Sequence, residues 1–434
     1  VRWRTTLPAL ALLGSAVAPS PARAVEYEVQ QWQLEPGTEV LLVEDHRAPL
    51  VTVTIEFPVG HWSAWARDHH AEEACDIQMH DPAGSLRARA DRLSVDLSVG
   101  MGSHHAAVTA SCLREDVAAV LDLVRDVLGN RDFDAAELKR WNKNDRLEWD
   151  ASRKEPWFRL TQAGARLLYD ADDPRRRDSE KPRPRITNSA RLAEARDVVV
   201  RLPGRVIAFS GDLTRADAER MAAGLLPPVT DSPPDGLSPV LAPMTPMDEL
   251  PAEHVETMPK IQQTFFAYGR HSLAYDSPQY PAFLVADHVL GGHFFSRMYQ
   301  ALRHEGGETY GTGTTGHGGT HREGYALVTF TRGDNAEVTE QKLRDVLLRL
   351  HDGGITEEER QAAVGYLVGS RAFSRQAPSQ ILERRLWERR HGLPAGFYDA
   401  LVDRAAQVGL DEINAFTREF YDPSLFKMIE ISPQ

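Results

Sequence analysis

The sequence predicts an α+β protein made of two homologous α/β-sandwich units, and three observations carry that expectation. The first is a tract at residues 227–253 that holds Pro227, Pro228, Pro233, Pro234, Pro239, Pro243, Pro246 and Pro251 with little hydrophobic periodicity. Proline fixes φ and lacks an amide donor, so this density resists helix and sheet alike and reads as a semi-extended linker. The second is that the same order of elements recurs on both sides of the tract, as a duplication would leave it. The third is an ordinary globular composition, 42% hydrophobic and 26% charged, over 434 residues. At roughly 100–200 residues per domain, that length suits more than one folded unit.

The elements follow in order. In the first half, Leu50–Phe57 alternates as a strand, and a strand is expected across Val95–Cys112. Val117, Val120, Leu121, Val124 and Leu128 then make the i, i+3, i+4, i+7 stripe of an amphipathic helix. Asp134 and Glu137 stand at capping-box spacing and open the next helix. The second half repeats this with a strand at Tyr325–Thr331, a helix burying Leu343, Val346, Leu347 and Leu350, and a capping signal at Thr356 and Glu359. Both halves close on β-rich segments, Pro203–Ser210 and Pro423–Ile431. The expected division is a leader at 1–24, an N-terminal domain at 25–226, the linker at 227–253 and a C-terminal domain at 254–434.

Residues 1–24 read as an export signal: Arg2 and Arg4 precede an apolar run from Leu7 to Ala18, and Ala22-Arg23-Ala24 makes a small-x-small cleavage site. That run is too short to span a bilayer, which takes about 20 residues, so the mature protein is expected in the periplasm or outside the cell and not in a membrane. The formal net charge of −13 becomes −16 without Arg2, Arg4 and Arg23, and argues against a nucleic-acid partner. Two cysteines, Cys75 and Cys112, are too few for a disulfide scaffold or a four-cysteine zinc site, and whether they pair is open.

One stretch has the residue types of a zinc peptidase: Asp68-His69-His70-Ala71-Glu72-Glu73-Ala74-Cys75. On a single helix, His69, Glu72 and Glu73 would share a face, with Glu72 placed as general base and Glu148 as a distant third ligand. The competing reading is a solvated polar face. His104 and His105, adjacent in an expected strand, would point to opposite faces, and His317 and His321 fall in a glycine-rich loop, Gly311 to Gly324. These four read as loop or surface histidines.

In order and spacing, these features resemble the pitrilysin/insulinase family of zinc metallopeptidases, in particular its short bacterial members of two homologous domains. Leu34 to Val40 with Glu44-Asp45-His46 is similar to that family's first hairpin, Val59-Gly60 to the end of its second strand, and Leu290-Gly291-Gly292 with Ser296-Arg297-Met298 and Ala301-Leu302-Arg303 to the glycine turn and helix of its second domain. The resemblance spans nearly all of residues 25–434. Active members carry His-x-x-Glu-His where this chain has His69-His70-Ala71-Glu72-Glu73, so the final histidine is missing and the zinc motif is degenerate. Arg303 and Tyr310, seven residues apart, resemble the arginine–tyrosine pair that the family aims at zinc-bound substrate.

The resemblance implies a non-zinc subunit of a heterodimeric peptidase. Such a chain binds no cofactor of its own. It supplies Arg303 and Tyr310 to a zinc held by a homologous partner that bears His-x-x-Glu-His, and the pair of chains acts on a peptide. An edge strand at Val95 to Ser103 would grip extended peptide. Two further expectations stand beside this one: a self-sufficient zinc enzyme using His69, Glu73 and Glu148 with Glu72 as base, and a purely structural or binding subunit.

Overall fold

The computed structural model describes residues 27–76, 85–129 and 133–434; the expected leader lies outside them. The strands form two sheets. The first contains β1 (Gln30–Glu35), β2 (Thr38–Glu44), β3 (Leu50–Phe57), β4 (Asp96–Met101), β5 (Ala106–Leu113) and β6 (Arg205–Gly211), in the order β1-β2-β6-β3-β5-β4. The second contains β7 (Glu253–Met258), β8 (Gln263–His271), β9 (Thr312–Thr315), β10 (Gly324–Arg332) and β11 (Lys427–Pro433), in the order β7-β11-β8-β10-β9.

Apart from β1, the two sheets have one wiring. In each, the first strand pairs in parallel with the last strand of its half, β2 with β6 and β7 with β11. The last strand then pairs antiparallel with the next, β6 with β3 and β11 with β8, and a hairpin completes the edge. A parallel pair closed by the last strand of a long excursion is an uncommon topology, and its occurrence twice makes the duplication a structural fact.

Alternation decides which face each strand residue covers. Val51, Val53, Ile55 and Phe57 of β3 enter the main core of the first lobe together with Val120, Leu121 and Val124 of the helix Val117–Gly129. The expected capping box at Thr356 and Glu359 is present in full on the helix Glu357–Phe373. At Ala135–Ser152 the cap is simpler, with Asp134 accepting from the amide of Ala136. The strand expected across Val95–Cys112 is two strands, β4 and β5, that turn at residues 102–105. Gly102 supplies the break: its amide bonds the carbonyl of His105 at 2.8 Å.

The second face of each sheet is covered by a helix from the other half. Leu382 and Leu386 of the helix Pro378–Arg390 pack on Leu41, Val43, Val206 and Ala208 of the first sheet. Reciprocally, Leu160 and Ala163 of the helix Pro156–Leu168 pack on Phe265, Ala267, Ile429 and Ile431 of the second. Polar bonds follow the exchange: Arg159 donates to Glu256 at 2.5 Å, Gly324 N donates to Tyr169 Oη at 3.1 Å, and Arg389 pairs with Glu39. Burying a leucine contributes about 1.5–3 kcal/mol, so the exchange adds apolar stabilisation to both lobes at once.

Candidate functional site

The stretch that resembles the zinc motif does not form the helix its spacing requires. The helix Ala64–Asp68 stops with His69 at its C-cap, and a second helix, Ala71–Asp76, starts two residues later. His70 between them has φ +58°, a left-handed conformation that interrupts the helical register. His69 therefore folds back on its own helix: its Nδ1 lies 2.9 Å from the carbonyl of Trp65, and its ring stacks on that indole at 5.0 Å. The shared face expected for His69, Glu72 and Glu73 is absent for this reason.

The two glutamates are engaged elsewhere. Glu72 pairs with Arg183 at 2.5 Å. Glu73 is buried, with one oxygen 3.9 Å from His70 Nδ1. Glu148 is exposed on the helix Ala135–Ser152. Among the described residues no three His, Cys, Asp or Glu side chains are gathered to hold a metal ion, so His69, Glu73 and Glu148 do not form one donor set. The residues present do not fit a zinc here, and we derive no step through one. Beneath this stretch the guanidinium of Arg196 is buried, donates to the carbonyl of Ala74 and lies over the ring of Phe133. Burial lowers its pKa to about 10. Cys75 and Cys112 both remain thiols, and burial pushes that of Cys112 up to about 11.

The arginine–tyrosine pair is positioned from a rigid base. The helix Tyr280–Leu290 is almost wholly buried and ends at Gly291, where any side chain would meet the backbone of Thr314. Ser296 then caps a short turn, Arg297–Tyr299, by accepting from the amide of Tyr299. Arg297 is fixed by a two-pronged pair with Glu359, at 2.8 and 2.7 Å, and by the carbonyl of Gly354. The next turn, Gln300–His304, is wound as a π-helix, with Glu305 N on the carbonyl of Gln300 at 2.9 Å. This wider turn carries Arg303.

Arg303 and Tyr310 are in contact. Nη1 of Arg303 donates to the main-chain carbonyl of Tyr310 at 3.0 Å, and its guanidinium stands 5.0 Å from the ring centre of Tyr299. The segment between them is pinned: Glu308 pairs with Lys342 at 2.6 Å, Thr331 Oγ1 donates to the Glu308 carbonyl, and Thr309 bonds both ways with Gly311. The Tyr310 ring projects from this anchored turn and is 81% exposed. A phenol held outward beside a half-buried guanidinium offers two donor types to an anionic oxygen from outside the chain.

The histidines read as loop residues are more ordered than expected. His104 and His105 lie in the β4–β5 turn rather than in a strand. There they stand between the lobes: on the first-lobe side the His104 ring lies 4.9 Å from Trp62 and His105 Nε2 is 4.0 Å from Glu56, and from the second lobe His391 comes within 6.0 Å of the His104 ring and Arg390 reaches Glu56 at 3.3 Å. His391 Nδ1 lies 2.5 Å from Thr320 Oγ1. His317 is tied to Asp287 at 3.2 Å and to Thr314 at 3.1 Å, and the hydrogen bond to Asp287 raises its pKa. This junction had no sequence signal, since its residues come from segments up to some hundreds of positions apart.

Two lobes of one repeated unit, each sheet roofed by the other's helix, define the class: half of a peptidase-type clamshell. Residues 200–367 match the family model described as the peptidase M16 inactive domain. Among solved structures the chain is similar to the peptidase M16 inactive domain from Pseudomonas fluorescens, at 22% identity over 94% of this chain and 98% of that one, with TM-score 0.79. It is similar also to an M16-like peptidase from Alicyclobacillus acidocaldarius, at 17% identity over 95% and 100% of the two chains, TM-score 0.74. The periplasmic protease PqqL from Escherichia coli matches at 11% identity over 99% of this chain but 49% of its own length, TM-score 0.70. No curated protein matches the sequence. Residues 200–367 are thus similar to the M16 inactive domain, and over nearly its whole length the chain shares the fold of these M16-type structures, the fold its motifs implied.

Proposed function

We propose that the chain is the non-zinc subunit of a two-chain peptidase, with Arg303 and Tyr310 completing a site whose zinc belongs to a homologous partner bearing His-x-x-Glu-His. The observation that carries this reading is the contrast between the two candidate sites. The degenerate motif is broken by a left-handed residue and its carboxylates are engaged, while the Arg303–Tyr310 turn is anchored and presents its phenol outward. PqqL is about twice the length of the matched region, which agrees with two such halves forming one chamber.

In this role the Tyr310 hydroxyl donates to the oxygen that gains charge as a peptide carbonyl is attacked. Arg303 holds the tyrosine's main chain and adds a permanent positive charge near the same oxygen. The edge strand β4 would bind extended peptide by main-chain pairing. We take residues 25–226 and 254–434 as the two domains, 227–253 as their linker and 1–24 as a leader that sends the chain to the periplasm.

The test is co-expression with a zinc-bearing homologue and assay of peptide cleavage by the purified pair. Removing one oxyanion donor, in Tyr310→Phe or Arg303→Ala, should lower kcat by about 100-fold or more with the complex still assembled. Cleavage indifferent to both substitutions would point to a purely structural subunit. Chelator-sensitive cleavage by this chain alone would overturn the proposal.

A further inference from the structure

The face that the first sheet turns to the second lobe is only partly roofed. Leu382 and Leu386 of the helix Pro378–Arg390 cover Val206 and Ala208 of β6. Further along the same face lies a cavity of about 820 Å³, a size within the range of small-molecule sites, about 300–1,000 Å³. Its floor is a patch of hydroxyls: Ser210 of β6, Thr52 and Thr54 of β3, Thr109 and Ser111 of β5. Strand register makes the patch, since Thr52 pairs with Ser210 on one side and Ser111 on the other, and Thr54 pairs with Thr109. The fold does not require hydroxyls there. Positions of like wiring in the second sheet carry Phe265, Ala267, Val328, Phe330, Ile429 and Ile431, packed with Leu160 and Ala163.

The hydroxyls can bond more than they do. Thr52 Oγ1 and Ser111 Oγ share one hydrogen bond at 2.9 Å, and Thr54 Oγ1 and Thr109 Oγ1 another at 3.3 Å. A hydroxyl has one donor and two lone pairs, so each pair keeps a donor and most of its lone pairs for something else. Ser210 is 1% exposed, and its Oγ finds no hydrogen-bond partner among the described residues. A buried hydroxyl left unpaired is costly, and Ser210 lines the cavity, from which a partner can come. The facing wall belongs to the second lobe and is aromatic: the Trp387 ring lies 5.1 Å from that of Tyr275 and 6.5 Å from that of Tyr398. The charges on this wall are already answered, Arg384 by Asp399 at 3.1 Å and Glu383 by Arg390. β6, β3 and β5 are each paired on both sides, so extended peptide has no strand edge to join here. Ser379, Gln380 and Glu383 line the cavity and are exposed, which leaves a way in from solvent.

A ligand matched to this space is uncharged, carries several groups that both donate and accept, and has an apolar face to lie on an indole. We propose that the cavity binds a neutral saccharide of about two rings, its hydroxyls on Ser210, Thr52 and Ser111 and the C–H face of one ring against Trp387. The proposal is independent of the peptidase reading, and neither Arg303 nor Tyr310 lines the cavity.

The experiment is calorimetric titration of the full chain with maltose, cellobiose and N,N′-diacetylchitobiose, with sorbitol (hydroxyls but no ring face) and tetra-alanine as controls. Saturable binding of at least one disaccharide, and of neither control, is the expected result. Affinity should fall by about tenfold in Ser210→Ala and in Thr52→Val, the loss of one hydrogen-bonding partner. Ser210→Ala removes a hydroxyl that has no partner in the free chain, so without sugar its melting temperature should equal or exceed that of wild type. That readout separates lost recognition from lost fold. No saturable binding of any of the three disaccharides, binding that both variants leave unchanged, or equal binding of sorbitol or tetra-alanine overturns the proposal; tetra-alanine alone would make the cavity a peptide site instead.

Discussion

Arg303 owes its placement to the ion pairs and the turn around it: the Arg297–Glu359 pair, the π-turn and the Glu308–Lys342 bridge. Positions in the degenerate motif contribute structure instead. Glu72→Gln and His69→Ala should therefore leave cleavage by the two-chain complex within about twofold of wild type, against the 100-fold order of loss expected at Tyr310. Zinc content of the purified chain should be unchanged by His69→Ala, which metal analysis checks directly. A different residue-scale prediction concerns Gly60, where a methyl group would run into the carbonyl of Ser103 in the β4–β5 turn. Gly60→Ala should destabilise the fold by about 1–3 kcal/mol through overpacking, read as a lower denaturation midpoint with unchanged slope. The sequence carried the Arg303–Tyr310 spacing because seven residues of one local turn hold both. It misplaced His69, because the helical period says nothing of a single left-handed residue such as His70, whose conformation is set by the packing of its neighbours.

Among elements, the two exchanged helices matter most. Leu382 and Leu386 belong by sequence to the second half but are buried on the first sheet. Leu386→Ala should cost about 2–5 kcal/mol, and hydrogen exchange should show the loss of protection in β2 and β6 rather than in the nearer strands of the second sheet. Had the helix packed on its own half, β7 and β11 would loosen instead. The strands and the amphipathic stripe of Val117–Gly129 were legible because periods of two and 3.6 are local properties. Which sheet a helix covers is not local: Pro156–Leu168 and Pro378–Arg390 carry apolar stripes that any sheet would accept, and only three-dimensional closure assigns them. The β4–β5 turn was missed for a related reason, since small residues run through Gly100, Gly102 and Ser103 without the usual two-residue hairpin signature.

Across the whole molecule, the junction of His104, His105 and His391 with Glu56 and Arg390 makes lobe contact depend on pH. Burial, then Arg390, His104 and His391, lowers the pKa of His105 to about 4; burial, then His104 and Arg390, does the same for His391. Burial, with His321 and His61 facing it, lowers His104 as well. Depressed histidines bind fewer protons folded than unfolded, so their contribution is whole above the ordinary histidine pKa of about 6.5 and is lost as pH falls from there towards 4. Glu56 works in the opposite sense: burial raises it to about 7 against the pull of Arg390, so its contribution is whole below the ordinary carboxyl range and fades as pH climbs through 7. Three histidines outweigh one glutamate. The melting temperature should fall by on the order of a few degrees between pH 7.5 and 5, the fall should shrink in His105→Phe, and it should grow in Glu56→Gln. An equal fall in all three proteins would place the sensitivity elsewhere.

The reciprocal roofing has one more outcome. A protease that nicks the proline tract would sever the only covalent tie between the halves within 227–253, yet neither fragment could leave without stripping its neighbour's sheet bare. The cut protein should run as two bands under denaturing conditions and as one particle under native ones. Either half made by itself should be an aggregating chain that becomes well behaved once its complement is supplied.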